Sequence, residues 1–235
     1  MYQYFFKRVM DITLSVLALL LLSPVLLLLP LVGAIAMRGN PFFVQLRPGK
    51  ISKKTGKETI FPMIKLRTMS NKRDANGDLL PDEERLTAYG RFLRRFSLDE
   101  LFELVNILKG DMSLVGPRPQ LVRDMVFMTD EQRKRHTVLP GLTGLAQCNG
   151  RNSITWEKKF AYDLAYIESG ITLLGDVKIL FKTAGKMLRS NDVNAEGMAT
   201  SEDLGDYLLR KGVITQEEYD EKQAEANELL AARKA

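Results

Sequence analysis

An uncharged apolar run from Ile12 to Met37 limits this chain more than any other feature. A bilayer core is crossed by about 20 helical residues, so the run is long enough to enter a membrane. No A-x-A-like cleavage site with a polar flank follows it, which argues against a removable signal peptide. Ser23-Pro24 stands in the middle of the run, and Pro30 adds a second irregularity. A proline removes a backbone donor and crowds the preceding turn, which kinks a helix. Ser23 can bond back to a freed carbonyl, so the break can survive in lipid. Lys7 and Arg8 precede the run, and Arg38, Arg47 and Lys50 follow it. Basic flanks favour the cytoplasmic side, and both are satisfied together if both ends stay there. The run is therefore expected to form a re-entrant helix-break-helix with Ser23 and Pro24 at the break. Arms of roughly 12 residues would each reach about 18 Å. A proline-kinked spanning helix is the alternative. Asp11 is read as an acid at the start of the first helix.

Charge is unevenly spread along the rest. The net charge is +5, yet from Ala195 onward ten acids face five bases, so the preceding part is strongly basic. A basic body suits a polyanionic partner: an anionic membrane surface, phosphorylated substrates or nucleic acid. The single cysteine, Cys148, excludes an internal disulfide, and the single histidine, His136, excludes the usual His/Cys zinc clusters. A metal here would be a hard cation held by carboxylates.

Phe42 to Leu46 and Ile60 to Arg67 read as strands joined by a basic turn, Lys50 to Lys57, which predicts a hairpin. Ser70 to Glu84 reads as a loop. A helical pattern begins at Arg85, and a second helix is expected from Ser97 to Gly110, opened by a Ser97/Glu100 capping box. Trp156 to Glu168 is helical. Ile171 to Met187 is basic and amphipathic, so it suits either a core-packed helix or one lying in a membrane interface. Beyond Thr200 two polar helices are expected, broken at Gly212, with Thr215 and Glu218 capping the second. The expected fold is mainly α with a small β-hairpin: a membrane hairpin over residues 1–38, a compact α+β catalytic domain over 39–194, and a polar helical extension over 195–235.

Chemistry concentrates between Arg91 and Pro119. Arg94 and Arg95 stand before Ser97-Leu98-Asp99-Glu100. A capping box explains these acids without any catalysis. A helix N-terminus also gathers phosphate, Arg94 can add a charge-assisted contact, and an ionised carboxylate there can act as nucleophile or bind Mg²⁺. In Gly116-Pro117-Arg118-Pro119 two prolines hold one arginine still, and Gly116 is expected to allow a sharp turn. Pro140 to Gly144, followed by Gln147, Asn149, Gly150 and Arg151, reads as a polar loop carrying a cation. No Walker A or G-x-G-x-x-G motif occurs, so P-loop and dinucleotide chemistry fall away.

Taken in order, these pieces resemble the monotopic phosphoglycosyl transferases, the bacterial sugar transferase family. The matching motifs are Lys7-Arg8 with Asp11, Ser23-Pro24, Lys65-Leu66-Arg67-Thr68-Met69, Ser97 to Leu101, Lys109 to Pro119, Gly141 to Gly144 and Asn149 to Asn152. The resemblance implies a protein of the bacterial inner membrane, dipping into the cytoplasmic leaflet with its catalytic domain on the cytoplasmic face. It implies that Asp99 attacks the β-phosphorus of a UDP-sugar, expels UMP and forms a phosphosugar-aspartyl intermediate. Polyprenyl phosphate (undecaprenyl phosphate) then accepts the phosphosugar. Mg²⁺ is required, with Asp99 as a candidate ligand, and Glu100 completes the acid pair. Arg94, Arg118 and Arg151 are the candidates for binding phosphate and donor. Ser190, Val193, Glu196-Gly197 and Thr200 resemble the tail of short enzymes that use UDP-diacetamido sugars such as di-N-acetylbacillosamine. Nucleic acid is not an expected partner, and a homo-oligomer is left open. Two other readings stand beside this one: a basic membrane-surface adaptor without catalysis, and a glycosyltransferase that releases UDP.

Overall fold

The computed structural model of the chain describes residues 2–150, 154–189 and 202–234. The apolar run forms two helices, α1 (Phe6–Leu21) and α2 (Ser23–Met37), bent by 66° across Leu22. No helix among the described residues is by itself long and apolar enough to cross a membrane. The bend has a local cause. Pro24 has no N–H to give to the Leu20 carbonyl four residues back. The Ser23 hydroxyl donates to that carbonyl instead, at 2.8 Å.

The antiparallel hairpin of β1 (Phe42–Ile51) and β2 (Glu58–Leu66) follows, with Phe42 opposite Leu66. Both strands extend further toward the turn than the sequence pattern indicates. A largely irregular stretch then ends in the single turn α3 (Asp82–Arg85). Next come α4 (Ala88–Arg95), capped by the Thr87 side chain, and α5 (Glu103–Lys109), ended by left-handed Gly110. The short strand β3 (Ser113–Val115) precedes the single turns α6 (Val122–Met125) and α7 (Asp130–Arg133), and β4 (Gly141–Thr143) pairs with β3 in parallel. The chain continues through α8 (Leu145–Cys148), α9 (Trp156–Glu168) and α10 (Leu173–Arg189). It closes with α11 (Leu204–Arg210) and α12 (Gln216–Lys234).

The fold is thus mainly helical, with two small sheets where one was expected. The β3–β4 pair joins two stretches that read as a turn and a loop. Gly116 acts by close approach and not by turning: a Cβ there would lie 2.5 Å from the Leu139 carbonyl. That proximity lets the two backbones pair.

The main core lies between β2, α5, β3 and α10, with Met63, Ile107, Met112, Val115 and Ile179 at its centre. Asn106, fully buried, locks α5 to β2: it accepts the Ile64 N–H at 3.1 Å and donates to the Pro62 carbonyl at 2.8 Å. Cys148 packs into this region at 1% exposure, as a small apolar residue would. In α10, Asp176 and Ile179 face inward while Leu173, Leu174 and Phe181 stay exposed, so the helix is core-packed on one face and apolar on another.

The apolar pair is fastened to this body by polar contacts. The fully buried Asp176 carboxylate accepts from Lys7 at 2.6 Å, Tyr2 at 2.7 Å and Tyr166 at 2.7 Å. Arg8 donates to the Ile107 and Leu108 carbonyls at the end of α5. Asp11 is not a helix-start acid, because α1 begins five residues earlier; it accepts the Leu114 N–H at 3.0 Å. At the other arm, the Tyr89 hydroxyl donates to the Leu29 carbonyl at 2.7 Å. Leu29 packs with Leu66 and Leu93.

The last two helices form the expected hairpin, with Gly212 at φ 68° and reciprocal Thr215–Glu218 capping bonds of 2.8 and 3.2 Å. They dock on the body. Leu204 and Ala226 are buried, Tyr219 stacks on Phe127, and the Leu204 N–H donates to Asp124 at 2.9 Å.

Removing one partner of a buried ion pair leaves a stranded charge and costs about 3–5 kcal/mol. Lys7→Met is therefore expected to lower the melting temperature of detergent-purified protein sharply. Adding Asp176→Asn should restore part of the loss, since the two changes share one interaction.

Candidate active site

Four segments meet at the site. Lys65 comes from the end of β2, Arg94 from α4, the acids from the connection between α4 and α5, and Arg118 from the turn after β3. The position of α4 is set by Thr68, whose carbonyl accepts from Thr87 and lies so near Gly90 that a Cβ there would sit 1.9 Å away. The Thr68 hydroxyl accepts from Arg94 Nε at 3.2 Å, which directs that side chain.

The acid-bearing connection differs from the expected helix start. Ser97 adopts a left-handed conformation at φ 53° and gives no side-chain cap. Leu98–Glu100 make a single 3-10 turn, and the α-helix begins only at Glu103. A left-handed serine is unfavourable by about 1–2 kcal/mol. Such conformations gather where function holds them. The capping box fails because Glu100 is occupied elsewhere. Its Oε1 accepts from Arg118 Nη2 at 2.5 Å and from Lys65 Nζ at 2.9 Å. Lys65 also lies 2.9 Å from Glu103 Oε1, near enough for charge attraction but not aligned as a hydrogen bond.

The two neighbouring acids are driven in opposite directions. Burial raises the Asp99 carboxyl above its ordinary value and the Glu100 charge adds to this, while Lys65 and Arg94 pull it back in part. Glu100 is partly buried and desolvated too, but the charges and hydrogen bonds of Arg118 and Lys65 outweigh desolvation and hold it well below the usual carboxylate range. Glu103 is pushed up by burial, against the pull of Lys65. The Glu100 charge in turn holds Arg118 above its ordinary value. Carboxylates separated in this way suit different tasks.

The structure thus gathers Asp99, Glu100, Arg94 and Arg118. Arg151 lies outside the described residues. The sequence pattern does not mark Lys65 and Glu103 as site residues. Lys65 lies in a matched motif, and Glu103 follows Glu100 by three positions, where one turn of a helical chain brings side chains together.

Comparison with known proteins fits this arrangement. The family model described as bacterial sugar transferase matches residues 2–190. An uncharacterized sugar transferase of Bacillus subtilis, EpsL, is 44% identical over 196 residues, covering 83% of this chain and 94% of that protein. The undecaprenyl-phosphate galactose phosphotransferase of Salmonella typhimurium is 36% identical over 203 residues, or 79% of this chain. The UDP-glucose:undecaprenyl-phosphate glucose-1-phosphate transferase of Escherichia coli is 37% identical over 188 residues, or 77% of this chain. The match spans only 41% and 39% of those two longer proteins. The family model takes in both the apolar pair and the acid-bearing turn, and by its sequence the chain belongs to the bacterial sugar transferase family.

Proposed function

We propose that the chain transfers a phosphosugar from a UDP-sugar to polyprenyl phosphate, releasing UMP, by way of a covalent intermediate on Asp99. The observation that carries this reading is the unequal acid pair. Glu100 is held by two cations, whereas Asp99 has a raised pKa and no ion pair with them. The names of the relatives from Salmonella typhimurium and Escherichia coli describe the same class of reaction.

In the first step an Asp99 oxygen attacks the β-phosphorus, and the bond from that phosphorus to the bridging oxygen breaks. UMP leaves with that oxygen. In the second step an oxygen of polyprenyl phosphate attacks the same phosphorus, the acyl phosphate bond breaks, and Asp99 is freed as carboxylate. Splitting the transfer in two is the gain of covalent catalysis. Arg118 and Arg94 supply positive charge for the phosphoryl oxygens. Lys65 and Arg118 keep Glu100 ionised and fixed. Glu100 is then able to orient the acceptor phosphate or take its proton.

Mg²⁺ fits this donor set as an ion arriving with the diphosphate. Among the described residues no group of three or more His, Cys, Asp or Glu side chains forms a self-contained site. Mg²⁺ commonly takes one or two carboxylates and fills its shell with water and phosphate oxygens, and Asp99 offers one carboxylate. When bound, the ion neutralises charge on the diphosphate.

The apolar pair supports a re-entrant anchor in the cytoplasmic leaflet. Both arms attach to the same body, α1 through Lys7, Arg8 and Asp11 and α2 through Leu29 and Tyr89. Leu20, Leu21, Leu27, Leu31 and Ile35 are exposed near the bend and along α2. With a 66° bend and arms of 16 and 15 residues, the apex dips about 13 Å when both ends are level. That depth is near half of a hydrocarbon core of about 30 Å. The donor sugar is a matter for direct assay. The residues that resemble the diacetamido-sugar enzymes lie outside the described residues, and the names given above carry galactose and glucose.

Single-turnover assay with Mg²⁺, a panel of UDP-sugars and no acceptor tests the chemistry. A stoichiometric burst of UMP and a mass adduct at Asp99 are expected. Asp99→Asn should lower turnover by about three orders of magnitude or more with an unchanged melting temperature. Release of UDP would point to a plain glycosyltransferase. No nucleotide release, even with polyprenyl phosphate added, would favour the adaptor reading.

The pH profile follows from the raised Asp99 carboxyl. Attack needs the ionised form, so activity should fall on the acid side at a pH above the ordinary Asp value of about 3.9. Glu100→Gln removes the neighbouring negative charge, so the acid limb of the residual activity should move to lower pH.

Topology is read by thiol labelling of Tyr4→Cys and Gly39→Cys, since Cys148 is buried. Both positions should react from the cytoplasmic side; reaction from opposite sides would establish a spanning pair.

A further inference from the structure

The turn that carries Arg118 is held by residues to which the transfer chemistry assigns no task. Three successive carbonyls in it are each taken by a donor from elsewhere. The Gly141 N–H donates to Pro117 O at 2.9 Å, Arg135 Nη2 to Arg118 O at 2.6 Å, and Arg47 Nη1 to Pro119 O at 3.3 Å. Two of these donors are guanidinium groups, from β1 and from the segment after α7.

Arg135 is the more completely enclosed. It is 1% exposed, and its guanidinium lies over the Phe160 ring at 5.8 Å. Its Nε and Nη2 reach Asp163 Oδ2 on α9 at 3.0 and 2.6 Å. One carboxylate oxygen therefore fixes the guanidinium, and the same Nη2 fixes the main chain of Arg118. As a means of stabilising a fold this is costly. Both ions are dehydrated, and Arg135 Nη1 and Asp163 Oδ1 have no hydrogen-bond partner among the described residues. Well-packed apolar residues of similar volume are often at least as stabilising. They could not, however, donate to the Arg118 carbonyl from a fixed direction.

We propose that Arg135, held by Asp163, is a positioning residue for the transfer: it sets the main chain of Arg118 so that the Arg118 guanidinium meets Glu100. The inference rests on the reading of Arg118 and Glu100 as transfer machinery. Arg135 acts through Arg118 and not by contact with the substrate.

A double-mutant cycle tests it on the full chain, with UDP-sugar and polyprenyl phosphate turnover and melting temperature measured for each protein. Arg135→Lys keeps a positive charge but loses the planar fork. It is expected to lower kcat about 10- to 100-fold, as a small misplacement of a catalytic group does, with KM changed much less. In an Arg118→Lys background the same change should lower kcat by less than about threefold. Its effect on melting temperature should be equal in both backgrounds. Equal kcat losses in both would assign Arg135 to the fold alone and overturn the proposal. If Arg135→Lys does not fold, Asp163→Asn carries the same cycle, because it releases the guanidinium while keeping the side-chain shape. Arg118→Lys at wild-type turnover would refute the underlying site reading, and this inference with it.

Discussion

A carboxylate with no exposed surface, Asp176, carries the strongest demand in this molecule. Left without partners in the core, such a polar group would carry a large desolvation cost. It is tolerated because Lys7, Tyr2 and Tyr166 surround it, and two of these come from the N-terminal segment. The demand runs both ways. Lys7 is buried as well, so the apolar helix must lie where that pair can form. With α1 placed there, Arg8 reaches the end of α5 and Asp11 reaches the backbone of β3. The helix that follows the acid pair and the strand that leads into the Arg118 turn are thus referenced to α1 by polar contacts. The apolar faces of α1 and α2 remain exposed.

The acid pair applies similar physics to another end. Two adjacent carboxylates in a low-dielectric pocket repel each other, and one must give way unless charge is supplied. Lys65 and Arg118 supply it to Glu100 by direct contact, while Lys65 and Arg94 act on Asp99 through space. The division follows from backbone geometry. Left-handed Ser97 and the tight turn after it aim Glu100 at the cations, in place of the helical cap that the local sequence favours.

Much of this was legible in the sequence, and the failures share a cause. The Ser23-Pro24 break, the hairpin, the helix of Trp156–Glu168 and the Thr215–Glu218 cap all depend on neighbours within a few positions, so local chemistry predicts them. The candidate site residues lie in ordered motifs, although the capping-box geometry expected of Ser97 and Glu100 does not form. Ser97 and Glu100 satisfy every local rule for a cap, and a strand residue and a distant arginine override it. The parallel β3–β4 pair joins three-residue strands far apart in sequence, too short to show a period. Asp11 looked like a helix-start acid because its partner, the Leu114 amide, lies 103 positions away. Arg135 and Asp163 carry no local signal, and Lys65 shows only as part of a matched motif. Their roles exist only once distant segments meet.

The separation between Lys7 and Asp176, 169 positions, also sets an order of events during synthesis. At about 5–20 residues per second, the N-terminal helix pair leaves the ribosome roughly ten seconds to half a minute before the carboxylate that will neutralise Lys7 exists. Through that interval, on the re-entrant reading, Lys7 and Arg8 are solvated charges beside an apolar segment already seeking lipid. Positive charge at that place resists translocation. The lysine that later becomes a buried anchor would first act as a brake, keeping the amino terminus on the side where the rest of the body will fold. One side chain would then serve two stages of the protein's life, exposed in the first and enclosed in the second.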